Sequence, residues 1–125
     1  MKFPNNIKYT KDHEWVKISD GIAYIGITEF AQSELGDIVF VDVDTLNEEL
    51  DQEEVFGTIE AVKTVSDLFM PISGKVDSFN KELEESPELI NDDPYNNGWI
   101  ISVSDFDESE LETLLSADDY KKLVE

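Results

Sequence analysis

Val55–Gly74, VFGTIEAVKTVSDLFMPISG, is the stretch from which the rest of the chain is read. Val55, Gly57, Ile59 and Ala61 alternate with Phe56, Thr58, Glu60 and Val62, the two-residue period of a pleated strand. Val65-Ser66-Asp67-Leu68-Phe69-Met70 resumes β-type composition, and Pro71 followed by Ser73-Gly74 ends it. The pattern predicts a hairpin over about 55–74 with Lys63 at its bend. Every other charged residue between Asp20 and Gly74 is acidic. A lone cation at a hairpin tip suits the presentation of a chemical group, because the tip projects its side chain and the strands behind hold it in place. Taken by itself, Lys63 reads more readily as a solvated surface lysine than as a modified one.

Working outward, short strands with turn signals recur on both sides. His13–Ile18 and Ile22–Ile27 flank Asp20-Gly21, a strong hairpin signal. Thr28 is placed to cap a short helix, Glu29–Leu35, with Gly36 just past its end. Asp37–Val43 is nearly continuously apolar and predicts a well-buried strand, followed by an acidic loop over Leu46–Glu54. Lys75–Phe79 and Trp99–Val103 are further strands, separated by an acidic, partly helical segment and the turn-rich Asn91–Gly98. Gly57 is expected to permit a close backbone approach and Gly74 to make a turn. A C-terminal helical segment is expected over about 107–124. Leu111, Leu114 and Leu115 share one face, and Tyr120, Leu123 and Val124 share the apolar side of a helix capped by Ser116. The fold class is therefore mainly β, a flattened barrel or sandwich with short peripheral helices, in one domain spanning 1–125.

Composition narrows the function classes. The chain of 125 residues has no cysteine, so disulfides, thiolate nucleophiles and cysteine-ligated metals are excluded. All nine cationic residues are lysine, against 30 acidic ones, for a net charge of −21. Nucleic acid and anionic membranes need a basic face, so neither is expected as a partner; partners with basic docking surfaces are. No apolar run approaches a membrane span. MKFPNNIKYT shows neither a signal segment nor a transit pattern, so a chain complete as given is expected in the bacterial cytoplasm, or in an organellar matrix if processed. The one histidine, His13, beside Trp15, reads as a packed structural residue, and no serine lies in a nucleophile-elbow context. No calcium-loop pattern occurs, and no metal is expected. A carrier that presents a group fits better than an enzyme.

Seven blocks in unbroken order carry a family resemblance: Tyr9–Val16, Ile25–Gln32, Leu35–Val41, Gly57–Asp67, Pro71–Val76, Asn91–Tyr95 and Gly98-Trp99. Together they resemble the H proteins of the glycine cleavage system. The resemblance implies a fold of the lipoyl-domain, barrel-sandwich hybrid type. It also implies a non-catalytic lipoyl carrier, with lipoic acid joined by an amide to Lys63 in the block Glu60-Ala61-Val62-Lys63-Thr64. The bound dithiolane would supply sulfur chemistry that a cysteine-free chain lacks. The implied partners are a pyridoxal-phosphate glycine decarboxylase, a tetrahydrofolate-dependent aminomethyltransferase, a dihydrolipoamide dehydrogenase and a lipoate-attaching enzyme. The carrier is expected to be a monomer. Glu60, Val62 and Thr64 are expected to help the attaching enzyme recognise the tip, and Glu14 and Asp67 to contact the arm or its aminomethyl cargo. The latter two read equally as solvated acids on strands. Two alternatives remain at this level: a relay handing lipoyl groups to 2-oxoacid dehydrogenase complexes, and an unmodified acidic interaction module.

Overall fold

The computed structural model describes the whole chain, Met1–Glu125. Its strands are β1 (Lys8–Tyr9), β2 (Glu14–Ser19), β3 (Ile22–Ile27), β4 (Ile38–Asp42), β5 (Glu49–Leu50), β6 (Val55–Ala61), β7 (Val65–Phe69), β8 (Gly74–Phe79) and β9 (Ile101–Ser104). The helices are α1 (Glu29–Leu35), α2 (Glu82–Glu85), α3 (Leu89–Asp92), a 3₁₀ turn (Glu108–Thr113) and α4 (Ala117–Val124). The strands form two antiparallel sheets, one ordered β1-β2-β3-β9-β8-β5 and the other β4-β6-β7. Neither closes on itself, so the mainly β expectation resolves as a sandwich.

The apolar periodicity of the strands builds one core between the sheets. Val16, Ala23, Ile25, Ile27, Val76, Ile101 and Val103 from the larger sheet meet Ile38, Val41, Phe56, Ile59 and Leu68 from the smaller. A second, aromatic cluster of Tyr9, Trp15, Tyr95 and Tyr120 ties the chain ends to the larger sheet. Tyr9 and Tyr120 stack with centroids 4.7 Å apart, a pairing worth about 1 kcal/mol beyond area burial. The Trp15 indole N–H donates to the carbonyls of both Ile27 and Pro94, at 3.0 Å each.

Several local readings are altered by tertiary packing. β4 is not buried throughout: Ile38 and Val41 point inward, but Val39 and Phe40 are exposed. β4 is an edge strand, and a bulge at Val39, between Ile38 and Phe40, leaves Val39 and Phe40 both facing outward. A second bulge between Val55 and Gly57 lets Phe56 join the inward set with Ile59 and Ala61. The acidic loop contains β5, which pairs with β8. Leu111, Leu114 and Leu115 do not share a helix face. The 3₁₀ turn stops at Thr113, and Leu115 exchanges two backbone hydrogen bonds with Tyr9, at 2.9 and 2.8 Å. Pairing with a buried strand satisfies backbone groups that a longer helix would have left without that partner. On α4, Tyr120 is buried and Leu123 is exposed. Gly74 has no positive φ and opens β8; a side chain there would run into Val103 and the Ser104 carbonyl, so it serves close packing rather than a turn.

Candidate functional site

The β6–β7 hairpin carries Lys63 out from the smaller sheet. Glu60 pairs with Val65, and the Ala61 N–H donates to the Thr64 carbonyl at 2.8 Å, so Val62 and Lys63 form the bend. Neither has a positive φ, which is why a β-branched valine and a lysine fit without glycine. The bend is braced from outside: the Val62 N–H donates to the Asp37 carbonyl at 3.0 Å. Behind it, Gly57 allows β4 to lie close, since a Cβ there would sit 2.5 Å from the Asp42 carbonyl oxygen. Lys63 is exposed and enters neither of the two ion pairs of the structure, Lys11–Glu53 and Lys121–Glu125.

Beside the tip runs a groove of about 250 Å³ between β7, α1 and the segment leading into β2. Phe30, Ala31, Glu34 and Leu35 face it at helical spacing from α1; Ile27, Ile59 and Leu68 add apolar wall. Thr28 fixes the start of α1 by accepting from the Ala31 N–H at 3.1 Å, and Gly36, with φ 81°, ends it. The Lys63 stem lies against that end: a Cβ on Gly36 would come within 3.5 Å of Lys63 Cε. The groove and the lysine are thus neighbours through Leu35-Gly36.

Glu14 and Asp67 both line this groove, together with Asp12, His13 and Ser66. Their settings differ. Asp67 is exposed on the edge strand. Glu14 is only 2 % exposed. Its carboxylate accepts from the Thr10 hydroxyl at 2.8 Å and, more loosely, from the Phe69 N–H at 3.4 Å. Burial outweighs those bonds and pushes its pKa up from 4.5 to about 8. The reading of Glu14 as a solvated acid is therefore wrong: it is a buried acid facing a groove. His13 is half-buried, tilted against Phe30 and linked through Nδ1 to the Tyr120 hydroxyl at 2.8 Å; burial lowers its pKa. Tyr120 also meets the Thr28 hydroxyl at 2.7 Å, and burial pushes its own pKa up to about 12.

Glu60, Val62 and Thr64 are all exposed around Lys63. None of the three lines the groove that Glu14 faces. The groove walls Phe30, Leu35 and His13 were not singled out from sequence as site residues. The helix-face spacing of Phe30, Ala31, Glu34 and Leu35 was the available signal, and it is the same signal that any core-facing helix gives.

Comparison with known proteins gives one consistent result. The family model described as "Glycine cleavage H-protein" matches residues 7–125. A glycine cleavage system H protein of Bacteroides thetaiotaomicron is 54% identical over 124 residues, covering 99% of this chain and 98% of that protein. Its counterpart in Bacteroides fragilis is 53% identical over the same length. The crystal structure of a glycine cleavage system H protein from Mycobacterium marinum superposes with a TM-score of 0.84 at 38% identity, covering 95% of this chain and 96% of that one.

Proposed function

This chain belongs to the glycine cleavage H-protein family, the lipoyl carriers of the glycine cleavage system, and from that premise we propose that Lys63 is the residue that carries the lipoyl group. The observation that carries the reading is the pairing of an exposed lysine, at a braced bend, with an adjoining groove whose walls suit an apolar arm. Ile27, Phe30, Ala31, Leu35, Ile59 and Leu68 match the hydrocarbon and dithiolane character of a lipoyl group, so the residues present fit it. When bound, that group supplies a dithiol–disulfide couple able to accept a one-carbon unit on sulfur and to be reoxidised afterwards.

The chain's own residues do the rest. Amide formation at Nζ removes the lysine charge, so the side chain enters an apolar groove without an ammonium to desolvate. Glu14 faces that groove as a buried acid. An aminomethyl cargo is cationic, and a cation beside Glu14 favours its ionised form, offsetting the burial that holds its proton. Asp12, Glu34 and Asp67 on the rim add negative charge, and no lysine is among the residues lining the groove. Glu14 would hold the cargo's ammonium away from bulk water and slow its hydrolysis. Loading by the decarboxylase, transfer by the aminomethyltransferase and reoxidation by the dihydrolipoamide dehydrogenase would then each act on an arm leaving that groove. The lipoyl-relay and unmodified-module alternatives are not favoured by the family assignment.

The test is the intact mass of the protein purified from its own cells, beside Lys63→Ala. A gain of one lipoyl group, absent from the variant, is expected. An unmodified mass in cells that lipoylate their other carriers would overturn the assignment. For the cargo role, Glu14→Gln at full lipoylation is expected to shorten the lifetime of the loaded form. An unchanged lifetime removes Glu14 from that role.

A further inference from the structure

The outer face of the smaller sheet has an ordered pattern that the carrier role alone does not require. Phe40, Glu60 and Val65 are in register across β4, β6 and β7, so their side chains form one row on one face. Phe40 is 55% exposed and Val65 61%, with Glu60 exposed between them. Val39, at the β4 bulge, and Val62, 76% exposed on the bend, extend the apolar group. Four of the nine large apolar side chains exposed on the whole chain therefore gather around Lys63. The next row on the same face is Asp42, Thr58 and Asp67, again in register, with both aspartates exposed. Two apolar side chains flanking Glu60 border the lysine, and a row with two aspartates lies behind them.

Resting on the Lys63 assignment, we infer that this face is the docking surface for the enzyme that acylates Lys63, through a partner surface with an apolar centre and a basic margin. The choice of partner follows from reach. Enzymes acting on a finished arm meet it at its far end, whereas the acylating enzyme must take in a bare lysine whose stem is only four methylenes long. Its surface has to contact the face next to the bend. The chemistry there forms an amide between Nζ and the carboxyl carbon of an activated lipoyl donor. The bond from that carbon to the leaving group breaks, and the leaving group departs with its electron pair. The Nζ ammonium gives up two protons, one to become a nucleophilic amine and one on forming the amide. Apolar side chains left exposed in an otherwise acidic region mark a contact surface. Asp42 and Asp67 set the sign of its margin and Glu60 adds a negative charge between the apolar side chains, so lysines and arginines on the partner complement them.

The experiment measures acylation of the purified unmodified protein by a purified lipoate-attaching enzyme, followed by intact mass at varied carrier concentration. Phe40→Ser with Val65→Ser is expected to raise KM by about tenfold or more with kcat little changed, as loss of central apolar contacts does. Leu123→Ser, an exposed apolar residue on α4 away from the tip, is expected to leave KM within about twofold. Val65→Thr alone, which keeps strand propensity and shape, is expected to raise KM by about threefold and guards against a folding defect in the double variant. Asp42→Asn with Asp67→Asn is expected to flatten the decline of kcat/KM between about 0.05 M and about 0.5 M salt. A normal KM for the double variant or for Val65→Thr, or an unflattened salt dependence, overturns the docking inference while the carrier reading stands. Failure of the unaltered protein to be acylated at all overturns both.

Discussion

Two hairpins of this molecule solve the same turning problem in opposite ways. The β2–β3 hairpin turns at Asp20-Gly21, where both residues have positive φ, 52° and 78°, and Ser19 faces Ile22 directly. It is a mirror-image turn, specified by two adjacent residues and matched to the twist of its strands. The β6–β7 hairpin turns at Val62-Lys63 with no positive φ, and draws its bracing from elsewhere: the Asp37 carbonyl, the end of α1 and the close passage of β4 over Gly57. A turn written into its own residues leaves little room for choice at its tip. A turn held by its surroundings frees the tip to carry a lysine between two β-branched residues. The two hairpins meet at Glu14, which begins β2 and accepts from the Phe69 N–H of β7.

Lys63→Ala is the sharpest break between them. It is expected to abolish lipoylation completely while leaving the melting temperature within about a degree, because the tip side chain is exposed and unpaired. Mass and thermal melts read the two effects separately. Glu14→Gln probes the junction. Because the folded Glu14 carboxyl titrates near 8 rather than 4.5, the folded state keeps a proton that the unfolded chain loses within that window. Its contribution therefore falls as pH rises from about 4.5 and levels off above about 8. The variant is expected to be more stable than the wild type above pH ~8, by at most about 5 kcal/mol, with the difference vanishing below pH ~4.5. Urea melts across that range measure it; a difference that does not change with pH rejects the buried-acid account.

Gly57→Ala tests the bracing from outside the second hairpin. The added methyl meets the Asp42 carbonyl, and a loss of about 2–3 kcal/mol is expected in chemical denaturation, with slower acylation of Lys63 as β4 and the tip shift. Gly21→Ala tests the self-contained turn. With φ at 78° but open space around the site, it is expected to cost only about 1 kcal/mol and to leave acylation unchanged. Equal effects of these two substitutions on acylation would dissolve the contrast between the hairpins.

Legibility from sequence follows the same division. Asp20-Gly21, the Thr28 and Ser116 caps and the alternating strands were readable because each rests on residues a few positions apart; both caps accept the expected backbone N–H, from Ala31 and Asp119. The position of Lys63 at a bend was equally legible, as a gap between two strand patterns. The burial of Glu14 was not. It depends on Thr10 and on Phe69, 55 residues away, and nothing local separates it from the 29 other acids. The outward turn of Val39 and Phe40 was hidden by a single bulge, since a one-residue slip moves a side chain to the opposite face.

Local chemistry alone, then, settles the strand count to within two short strands, β1 and β5, together with the turns, the helix starts at Thr28 and Ser116 and the placement of a lone lysine at a tip. The family blocks imply a chemical meaning for that lysine, the proposed lipoyl attachment. Tertiary structure decides which side of β4 faces water, that Leu115 pairs with Tyr9 instead of prolonging a helix, and that an ordinary glutamate becomes a buried acid beside the lysine's groove. The reason is range: turn and cap preferences are set by neighbours along the chain, whereas burial and desolvation are set by neighbours in space.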